Sequence, residues 1–178
     1  MKLRSIVSTL LISLGLSFGT VAADDASSYR LSSDDEISIT VFNEPDMSIS
    51  KIKVSTNGTI SMPLLGQVIT KGLTVTELEQ ELTNRLLDGY LKKPNVTVSI
   101  TEYRPFYISG EVKRPGSYPY RKDLTIEKAV ALAGGFTERA SKGTITLVAE
   151  QTTRNVTAAA LNNAVKPGDV ITVSESFF

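Results

Sequence analysis

Neither cysteine nor histidine occurs in this 178-residue chain. The lack of cysteine excludes a disulfide framework, a thiolate nucleophile and a zinc–sulfur site, and it predicts that no lipid is attached through an N-terminal cysteine. The lack of histidine removes the commonest metal ligand and the side chain that most often acts as a general base near neutral pH. Catalysis would depend on carboxylates, lysine or tyrosine alone, and no motif places such groups together. The sequence therefore predicts no catalytic, metal or cofactor site.

A short hydrophobic segment lies at the N-terminus. Residues 1–4 include the basic side chains of Lys2 and Arg4, residues 6–18 are apolar apart from Ser, Thr and Gly, and residues 21–23 end in small side chains. This order is typical of a secretory signal peptide, and the apolar part is shorter than the roughly 20 residues that a membrane-spanning helix needs. We therefore expect residues 1–23 to be removed, with Asp24 opening the mature protein; an uncleaved membrane anchor is the alternative.

Charge is nearly balanced along the chain, with 19 basic and 19 acidic side chains. Removal of Lys2 and Arg4 with the signal peptide leaves 17 basic side chains and a net charge near −2. No basic footprint for nucleic acid remains, so we expect no nucleic-acid partner. The remaining length of about 155 residues is enough for one or two small hydrophobic cores.

The first half of the mature chain predicts a small β-meander. Residues 37–41 alternate apolar and polar side chains, which is the period of a strand with one buried face. Residues 52–54 and 59–61 flank Asn57-Gly58, a dipeptide that readily adopts the positive φ angles of a tight hairpin turn. Another short strand is predicted over residues 67–70.

One amphipathic helix follows the meander. Thr74 and Glu77 are placed as a capping box, and Pro94 prevents the helix from continuing. Glu81 and Arg85 lie one turn apart and are expected to pair. The apolar side chains fall near one face, which indicates an ordinary core-facing stripe: Val75, Leu78, Leu82, Leu86 and Tyr90.

A boundary between two modules is predicted close to Pro105. Residues 96–101 form the clearest strand by alternation and β-branching, and the proline just beyond them indicates a sheet edge or a junction. A new strand over residues 106–112 then begins a second set of elements. At its end, Pro115-Gly116 occupies the two central positions of a predicted type II turn, from which the chain returns through residues 118–120.

The second helix is predicted from Thr125 to Ala133, with a left-handed C-cap at Gly134-Gly135. Strands over residues 144–148 and 170–173 follow it. The inner face of the helix is small, so we expect a close approach to its sheet: Ile126, Ala129, Val130 and Ala133.

Together these elements place the chain in the α+β class, as two small β-rich modules with one main helix each, over residues 24–103 and 104–178. The two halves echo each other. Residues 73–75 and 124–126 both open a helix with the order Leu, Thr and a β-branched residue. Residues 35–39 and 168–173 both have an aspartate followed by a β-strand pattern of alternating side chains.

The order of several short motifs resembles a known family. Tyr29-Arg30-Leu31, Asp35-Glu36-Ile37, Asn57-Gly58-Thr59-Ile60, Met62-Pro63-Leu64-Leu65-Gly66, Gly72-Leu73-Thr74 and Pro94-Asn95-Val96 resemble the polysaccharide biosynthesis and export domain. Ile108-Ser109-Gly110-Glu111-Val112, Arg114-Pro115-Gly116-Ser117-Tyr118, Ala133-Gly134-Gly135 and Pro167-Gly168-Asp169 resemble its companion, the β-grasp-like SLBB domain. The matches cover nearly the whole mature chain.

Several departures from the family pattern refine what the resemblance implies. Ser33-Asp34-Asp35 replaces the common Pro-Gly-Asp entry to the first strand, and Asn57-Gly58 replaces an Asp-Gly turn, but both keep turn-competent residues. Wza-like members carry a lipidated N-terminal cysteine, further SLBB repeats and a C-terminal membrane helix. This sequence resembles the short members, in which those parts are missing.

The resemblance implies a non-enzymatic periplasmic component of a machine that exports bacterial exopolysaccharide or capsule. It would act as a homo-oligomeric ring or adaptor between an inner-membrane polysaccharide copolymerase and an outer-membrane β-barrel porin, possessing no membrane-spanning element and lying peripheral to the outer membrane. Polysaccharide, copolymerase and porin are the implied partners. The alternative from another class is a soluble glycan-binding SLBB module of the periplasm.

Enzymatic interpretations fit the sequence less well. The run Asp34-Asp35-Glu36 suggests catalytic or calcium-binding carboxylates, but adjacent acids on an extended chain point in different directions and no loop of alternating oxygen ligands follows. We therefore interpret the run as a solvated turn. A carboxylate glycosidase needs two acids that face each other across a cleft, and nothing in the sequence marks such a pair.

Aromatic and basic residues cluster at the start of the second module. Aromatic faces and arginine suit both stacking on sugars and anchoring at protein interfaces, and we rank partner contact above direct glycan contact. Alternation places Phe106 and Ile108 on one face of their strand and Tyr107 on the other. An apolar pair at the C-terminus, Phe177-Phe178, is either packed in the core or left for a partner. The candidate partner or glycan surface comprises Tyr103, Arg104, Tyr107, Arg114, Tyr118, Tyr120 and Arg121.

Overall fold

A computed structural model describes residues 29–149, 152–156 and 161–176 of the chain. The predicted signal peptide and Phe177-Phe178 lie outside the described residues. Within them, no helix combines the length and the apolar character needed to cross a bilayer. The elements divide into two groups, each with its own helix and its own buried core, and the α+β class with two modules is confirmed.

From residue 29 onward, the first module forms five strands and one helix. They are β1 (Glu36–Val41), β2 (Ile49–Lys53), β3 (Thr59–Met62), β4 (Gly66–Ile69), α1 (Val75–Leu87) and β5 (Val96–Glu102). Strand β1 is central in an antiparallel sheet of order β2-β1-β5, while β3 and β4 form a separate hairpin. A single turn of 3-10 helix, Pro45–Met47, connects β1 to β2.

Helix α1 covers the inner face of this sheet as its apolar stripe predicts. Leu78, Leu82 and Leu86 are fully buried among the isoleucines and valines of β1 and β5. The capping box is confirmed, since the Glu77 amide donates to Thr74 Oγ1 and the Glu77 carboxylate accepts from the Thr74 amide. The predicted pair Glu81–Arg85 is also present at 2.7 Å. Tyr90 differs from the prediction, because it lies beyond the helix and is exposed.

The predicted β-meander is wrong in its pairing. The turn at Asn57-Gly58 forms, with Gly58 at a positive φ, but the strands on either side of it enter different sheets. Ile49 and Ile52 of β2 pair with the buried isoleucines of β1. Burial of these isoleucine pairs therefore favours pairing of β2 with β1. The turn is bonded instead to the end of β4, where the amides of Thr70 and Lys71 both donate to the Gly58 carbonyl at 2.9 Å.

The described residues of the second module form five strands and one helix. They are β6 (Phe106–Gly110), β7 (Gly116–Tyr118), α2 (Ile126–Leu132), β8 (Ala140–Ala149), β9 (Thr152–Val156) and β10 (Val170–Glu175). Their sheet has the order β7-β6-β10-β8-β9, in which only β6 and β10 run parallel. All four residues of the predicted inner face of α2 are buried, and Gly134 and Gly135 both have positive φ.

The predicted type II turn at Pro115-Gly116 is wrong. Such a turn needs a positive φ at its third residue, whereas Gly116 lies in β7, pairs with Ile108 and is not left-handed. The connection is a wider loop that packs on the end of α2, where the amides of Lys113 and Arg114 donate to the carbonyls of Gly135 and Ala133. Gly110 provides the left-handed residue of this connection, with φ 80°.

Candidate functional site

The seven candidate residues lie in three places on the molecule. Tyr103, Arg104 and Tyr120 meet where the two modules join. Tyr107 lies on the open face of the five-stranded sheet, where its side chain is exposed. The remaining three, Arg114, Tyr118 and Arg121, lie around the β6–β7 connection and the loop before α2. The structure therefore brings together only part of the predicted surface.

A buried carboxylate, Asp35, organises the place where the modules join. Its side chain is inaccessible to solvent. The hydroxyl of Tyr29 donates to it at 2.7 Å, and the amides of Ser32 and Arg104 donate at 2.7 and 2.8 Å. The guanidinium Nη1 of Arg104 lies 3.6 Å from Asp35 Oδ2. A buried anion requires this kind of paired and hydrogen-bonded surrounding, because its desolvation is otherwise very costly.

The interpretation of Asp34-Asp35-Glu36 as a solvated turn is wrong for two of the three acids. Asp34 is exposed and left-handed at φ 71°, and it turns the chain so that Asp35 points inward. Glu36 is only 8% exposed and accepts from the Lys51 ammonium at 3.0 Å and from the Thr101 hydroxyl at 3.0 Å. Neighbouring side chains of a strand point to opposite faces, so Asp35 and Glu36 find separate partners.

Arg104 connects Asp35 to the second module. Its guanidinium carbon lies 5.8 Å from the centre of the Tyr29 ring, and its Nη1 donates to the Tyr29 hydroxyl at 3.3 Å. The same side chain passes so close to Gly168 that a Cβ on that glycine would lie 2.6 Å from Arg104 Nε. Gly168, at φ 85°, belongs to the turn before β10. The arginine is thus enclosed by groups of both modules, and its side chain is 15% exposed.

Three tyrosine rings form a continuous row across the same place. The rings of Tyr29 and Tyr103 meet edge to face with centres 5.0 Å apart, and those of Tyr103 and Tyr120 meet in the same way at 5.4 Å. Edge-to-face pairs of this kind add about 0.5–1.5 kcal/mol each beyond the area they bury. We call Tyr29, Asp35, Tyr103, Arg104 and Tyr120 the junction cluster.

Burial and the neighbouring Asp35 carboxylate both raise the pKa of the Tyr29 hydroxyl. Desolvation first, and then the negative charge of Asp35, raises the pKa of Tyr29 far above its ordinary value. Its hydroxyl therefore stays protonated and serves as a donor to Asp35. Neither Tyr29 nor Asp35 is among the seven residues of the candidate surface, and Asp35 is interpreted from the sequence as part of a solvated acidic turn. The available signal was the echo between residues 35–39 and 168–173, which places an aspartate in front of a strand in both modules.

Tyr107 has the most accessible aromatic ring of the candidate surface, at 43% exposure. Phe106 and Ile108 on either side of it are buried, which confirms the predicted alternation. Across the open face, Tyr107 pairs with Val170, and Val170 pairs in turn with Val148. The next row consists of Ser109, Thr172 and Thr146, and the first two hydroxyls are 3.2 Å apart. The central part of this face is therefore uncharged and carries both hydroxyl groups and apolar groups.

Arg114 and Tyr118 make contacts within the second module. The Arg114 guanidinium donates to the Leu132 carbonyl at 3.0 Å, and the Tyr118 hydroxyl donates to the Arg114 carbonyl at 2.7 Å. The Tyr118 ring stacks on buried Phe106 with centres 5.8 Å apart. Arg121 lies at an open depression of about 430 Å³ with one acid among its lining side chains. That depression is lined by Arg121, Lys122, Asp123, Leu124, Lys128, Ala131 and Leu132.

The arrangement suits binding and positioning. Among the residues that the structure describes, no group of three or more acidic side chains is placed to hold a metal ion. The buried Asp35 carboxylate already accepts hydrogen bonds from the Tyr29 hydroxyl and the Arg104 amide. The Arg104 guanidinium lies 3.6 Å from it. The accessible part of the candidate surface offers an aromatic ring, guanidinium groups and hydroxyl groups.

Family models match both halves of the chain. Residues 23–101 match the model described as polysaccharide biosynthesis/export protein, and residues 105–156 match the SLBB domain. The first match ends at the last residues of β5, and the second begins directly in front of β6. The two matches therefore meet at the junction cluster.

Curated relatives match between half and two thirds of this chain. The exopolysaccharide production protein ExoF of Rhizobium meliloti is 40% identical over 92 residues, which cover 51% of this chain and 22% of ExoF. The EPS I polysaccharide export outer membrane protein EpsA of Ralstonia solanacearum is 30% identical over 135 residues, covering 62% of this chain and 36% of EpsA. A protein of the same description from Ralstonia nicotianae is also 30% identical. The chain thus spans well under half the length of these relatives.

Proposed function

We propose that the chain is a non-enzymatic periplasmic part of a machine that exports exopolysaccharide. The proposal rests on the presence of a polysaccharide biosynthesis/export domain followed by an SLBB domain. In this proposal it acts as a homo-oligomeric ring or adaptor between an inner-membrane polysaccharide copolymerase and an outer-membrane porin. The observation that carries the proposal is the order of the two matched domains along one chain, each with its own core.

The proposal includes the layout of the chain and its location. Residues 1–23 are removed as a signal peptide, residues 24–103 form the export module, and residues 104–178 form the SLBB module. The mature protein lies in the periplasm, peripheral to the outer membrane. Two relatives named as outer membrane proteins of polysaccharide export support this location.

The candidate surface is proposed to contact a protein partner of the machine. Within it, Tyr107 has the strongest case, because an exposed aromatic ring on a rigid strand is a typical interface anchor. Arg114 and Arg121 provide accessible guanidinium groups on the same module. Tyr103, Arg104, Tyr118 and Tyr120 contribute less surface, because each of them packs against other groups of the chain.

A gene deletion with complementation tests the export role. We expect the deletion strain to accumulate polymer inside the cell envelope, and the wild-type gene to restore its export. Tyr107→Ala is expected to restore export poorly, whereas Tyr90→Ala, which removes a similarly exposed tyrosine from the first module, serves as the matched control. Normal export by the deletion strain would contradict the proposal.

Oligomerisation is tested separately by sedimentation of the full mature protein alone and with the other export components. We expect a larger assembly in at least one of these conditions. A monomer that sediments unchanged with every component present would count against the ring or adaptor role.

A second candidate function is glycan binding by the SLBB module, and the open face around Tyr107 favours it. An aromatic ring can stack on a sugar, and the row of Ser109, Thr172 and Thr146 supplies hydroxyl groups beside it. An oligosaccharide of the exported polymer would then raise the melting temperature, because a ligand stabilises the state that binds it. If the temperature rises for wild type and not for Tyr107→Ala, the binding is at this face; no rise for wild type would exclude this candidate.

A further inference from the structure

We infer that the junction cluster is a latch that fixes the orientation of the two modules, with the Asp35 carboxylate as its central acceptor. The inference does not depend on the exported polymer or on any partner. It concerns how the chain holds its two halves as one body.

The need for such a latch follows from the separation of the modules. No strand of the first three-stranded sheet or of the β3–β4 hairpin pairs with a strand of the five-stranded sheet among the described residues. The two buried cores are also composed of different side chains. Hydrophobic packing within each module therefore stabilises that module, and it leaves the angle between them to the groups at the junction.

Asp35 joins the first module to the connecting segment. One oxygen accepts from the Ser32 amide at 2.7 Å and the other from the Arg104 amide at 2.8 Å, although Arg104 lies 69 residues further along the chain. The Tyr29 hydroxyl lies within 2.8 Å of both oxygens. The carboxylate thus holds the backbone just after β5 against the turn that begins β1.

The connecting segment is bonded just as firmly to the second module. The Gly168 amide donates to the Pro105 carbonyl at 3.1 Å, and the Tyr107 amide donates to the Asp169 carbonyl at 2.8 Å. Arg104 packs over Gly168 on one side and pairs with Asp35 on the other. The row of tyrosine rings also crosses the junction, with Tyr29 in the first module and Tyr120 in the second.

A purely local role for Asp35 is the competing explanation. Asp169 closes a similar turn in front of β10, where its carboxylate accepts from the Lys166 amide at 2.8 Å. If Asp35 served only its own turn, loss of the Arg104 side chain would leave the module orientation unchanged. If the latch holds the modules, the same change would loosen their orientation while each module stays folded.

Distance measurement between spin labels separates these explanations. The chain has no cysteine, so Gln80→Cys on α1 and Glu127→Cys on α2 place one label on an exposed position of each module. We expect one narrow distance distribution in the labelled protein. Arg104→Met keeps an apolar stem but removes the guanidinium, and it is expected to broaden or shift that distribution.

Matched controls come from the second module. Arg114→Met removes a guanidinium that donates to the Leu132 carbonyl. Tyr118→Phe removes a hydroxyl that donates to the Arg114 carbonyl. Both hydrogen bonds lie within the second module. Neither variant is expected to change the distribution. Circular dichroism is used to check that each variant keeps its secondary structure.

A milder variant, Tyr29→Phe, tests the same cluster in case Arg104→Met fails to fold. Tyr29→Phe keeps the ring but removes the hydroxyl donor, and it is expected to broaden the distribution to a lesser degree and to speed hydrogen exchange at the Arg104 amide. Unchanged distance distributions in both Arg104→Met and Tyr29→Phe would overturn the latch. Equal broadening in the control variants would overturn it as well.

Discussion

An aspartate closes the turn before the central strand of each main sheet. Asp35 accepts from the amide three residues before it at 2.7 Å, and Asp169 does the same at 2.8 Å. Both side chains are buried, and β1 and β10 follow them directly. The echo between the two halves of the sequence thus has a structural basis, because the same short-range hydrogen bond starts the same kind of strand.

Tyr29 is predicted to make the protein sensitive to alkaline pH. Its pKa in the folded protein is raised by burial and by Asp35, whereas in the unfolded chain it ionises near its ordinary value of about 10. The stability that follows from this difference is fully present below about pH 10 and is lost as the pH rises further. Tyr29→Phe should flatten this loss in a series of urea titrations. Appearance of a Tyr29 tyrosinate signal by NMR near pH 10 in the folded protein would contradict the prediction.

Gly110 is predicted to tolerate no side chain. It has φ 80°, and a Cβ there would overlap the Val173 carbonyl oxygen in the neighbouring strand. Gly110→Ala should therefore cost on the order of 3 kcal/mol, from backbone strain together with overpacking. Gly116→Ala is the control, since Gly116 has no positive φ and no atom within 4 Å of the added methyl group, and it should change the free energy of unfolding by less than about 0.5 kcal/mol. Similar effects of the two changes in urea would refute this explanation.

At the scale of single elements, each helix begins with a threonine cap. Thr74 Oγ1 accepts from the Glu77 amide at 3.2 Å, and Thr125 Oγ1 accepts from the Lys128 amide at 3.3 Å. Only the first helix completes the reciprocal bond, in which Glu77 accepts from the Thr74 amide at 2.8 Å. The carboxylate of Glu77 also pairs with Arg30 at 3.0 Å.

Thr74→Ala is predicted to destabilise the first module. Loss of an N-cap of this type costs about 1 kcal/mol, because an amide of the first turn loses its acceptor. Thr76→Ala, in the exposed first turn of the same helix, serves as the control and should have a small effect. Thermal unfolding followed by circular dichroism measures both, and a loss for Thr76→Ala equal to that for Thr74→Ala would contradict a role for the cap.

The helices and most of the strands could be predicted from the sequence, because their signals are local. Caps, apolar stripes and alternation act within a few residues of one another. The pairing of β2 with β1 and the absence of the type II turn could not be predicted in this way. Both depend on partners outside the few residues that form the local signal, namely the isoleucines of β1 for the first and the backbone carbonyls at the end of α2 for the second.

The candidate site was predicted only in part for the same reason. The cluster of aromatic and basic residues in residues 103–121 is visible in the sequence, and it includes three members of the junction cluster. Tyr29 and Asp35 lie about 70 residues away from it in the chain. Their role depends on how β5 returns beside β1, and composition carries no signal for that.

At the scale of the whole molecule, the two separate cores predict that damage to one core stays local. Leu82 is fully buried in the first core, so Leu82→Ala should cost about 2–5 kcal/mol there. Hydrogen exchange should then speed up in α1 and β5, while amides of β10 keep most of their protection. Leu87→Ala, which changes a half-exposed leucine of the same helix, is the control. An equal loss of protection in both modules would show that they unfold as one unit.

Helix α1 also binds the backbone at one edge of the first sheet. Strand β5 is an outer strand, and the Val98 amide on it donates to the Glu79 carboxylate of α1 at 2.8 Å. Outer strands with unsatisfied amides invite strand addition by other polypeptides. Because a helix side chain already satisfies Val98, a neighbouring subunit that extended the sheet along β5 would first have to displace Glu79. If copies of this chain assemble as proposed, their contacts should therefore be sought among side chains of its outer faces, away from the backbone of β5.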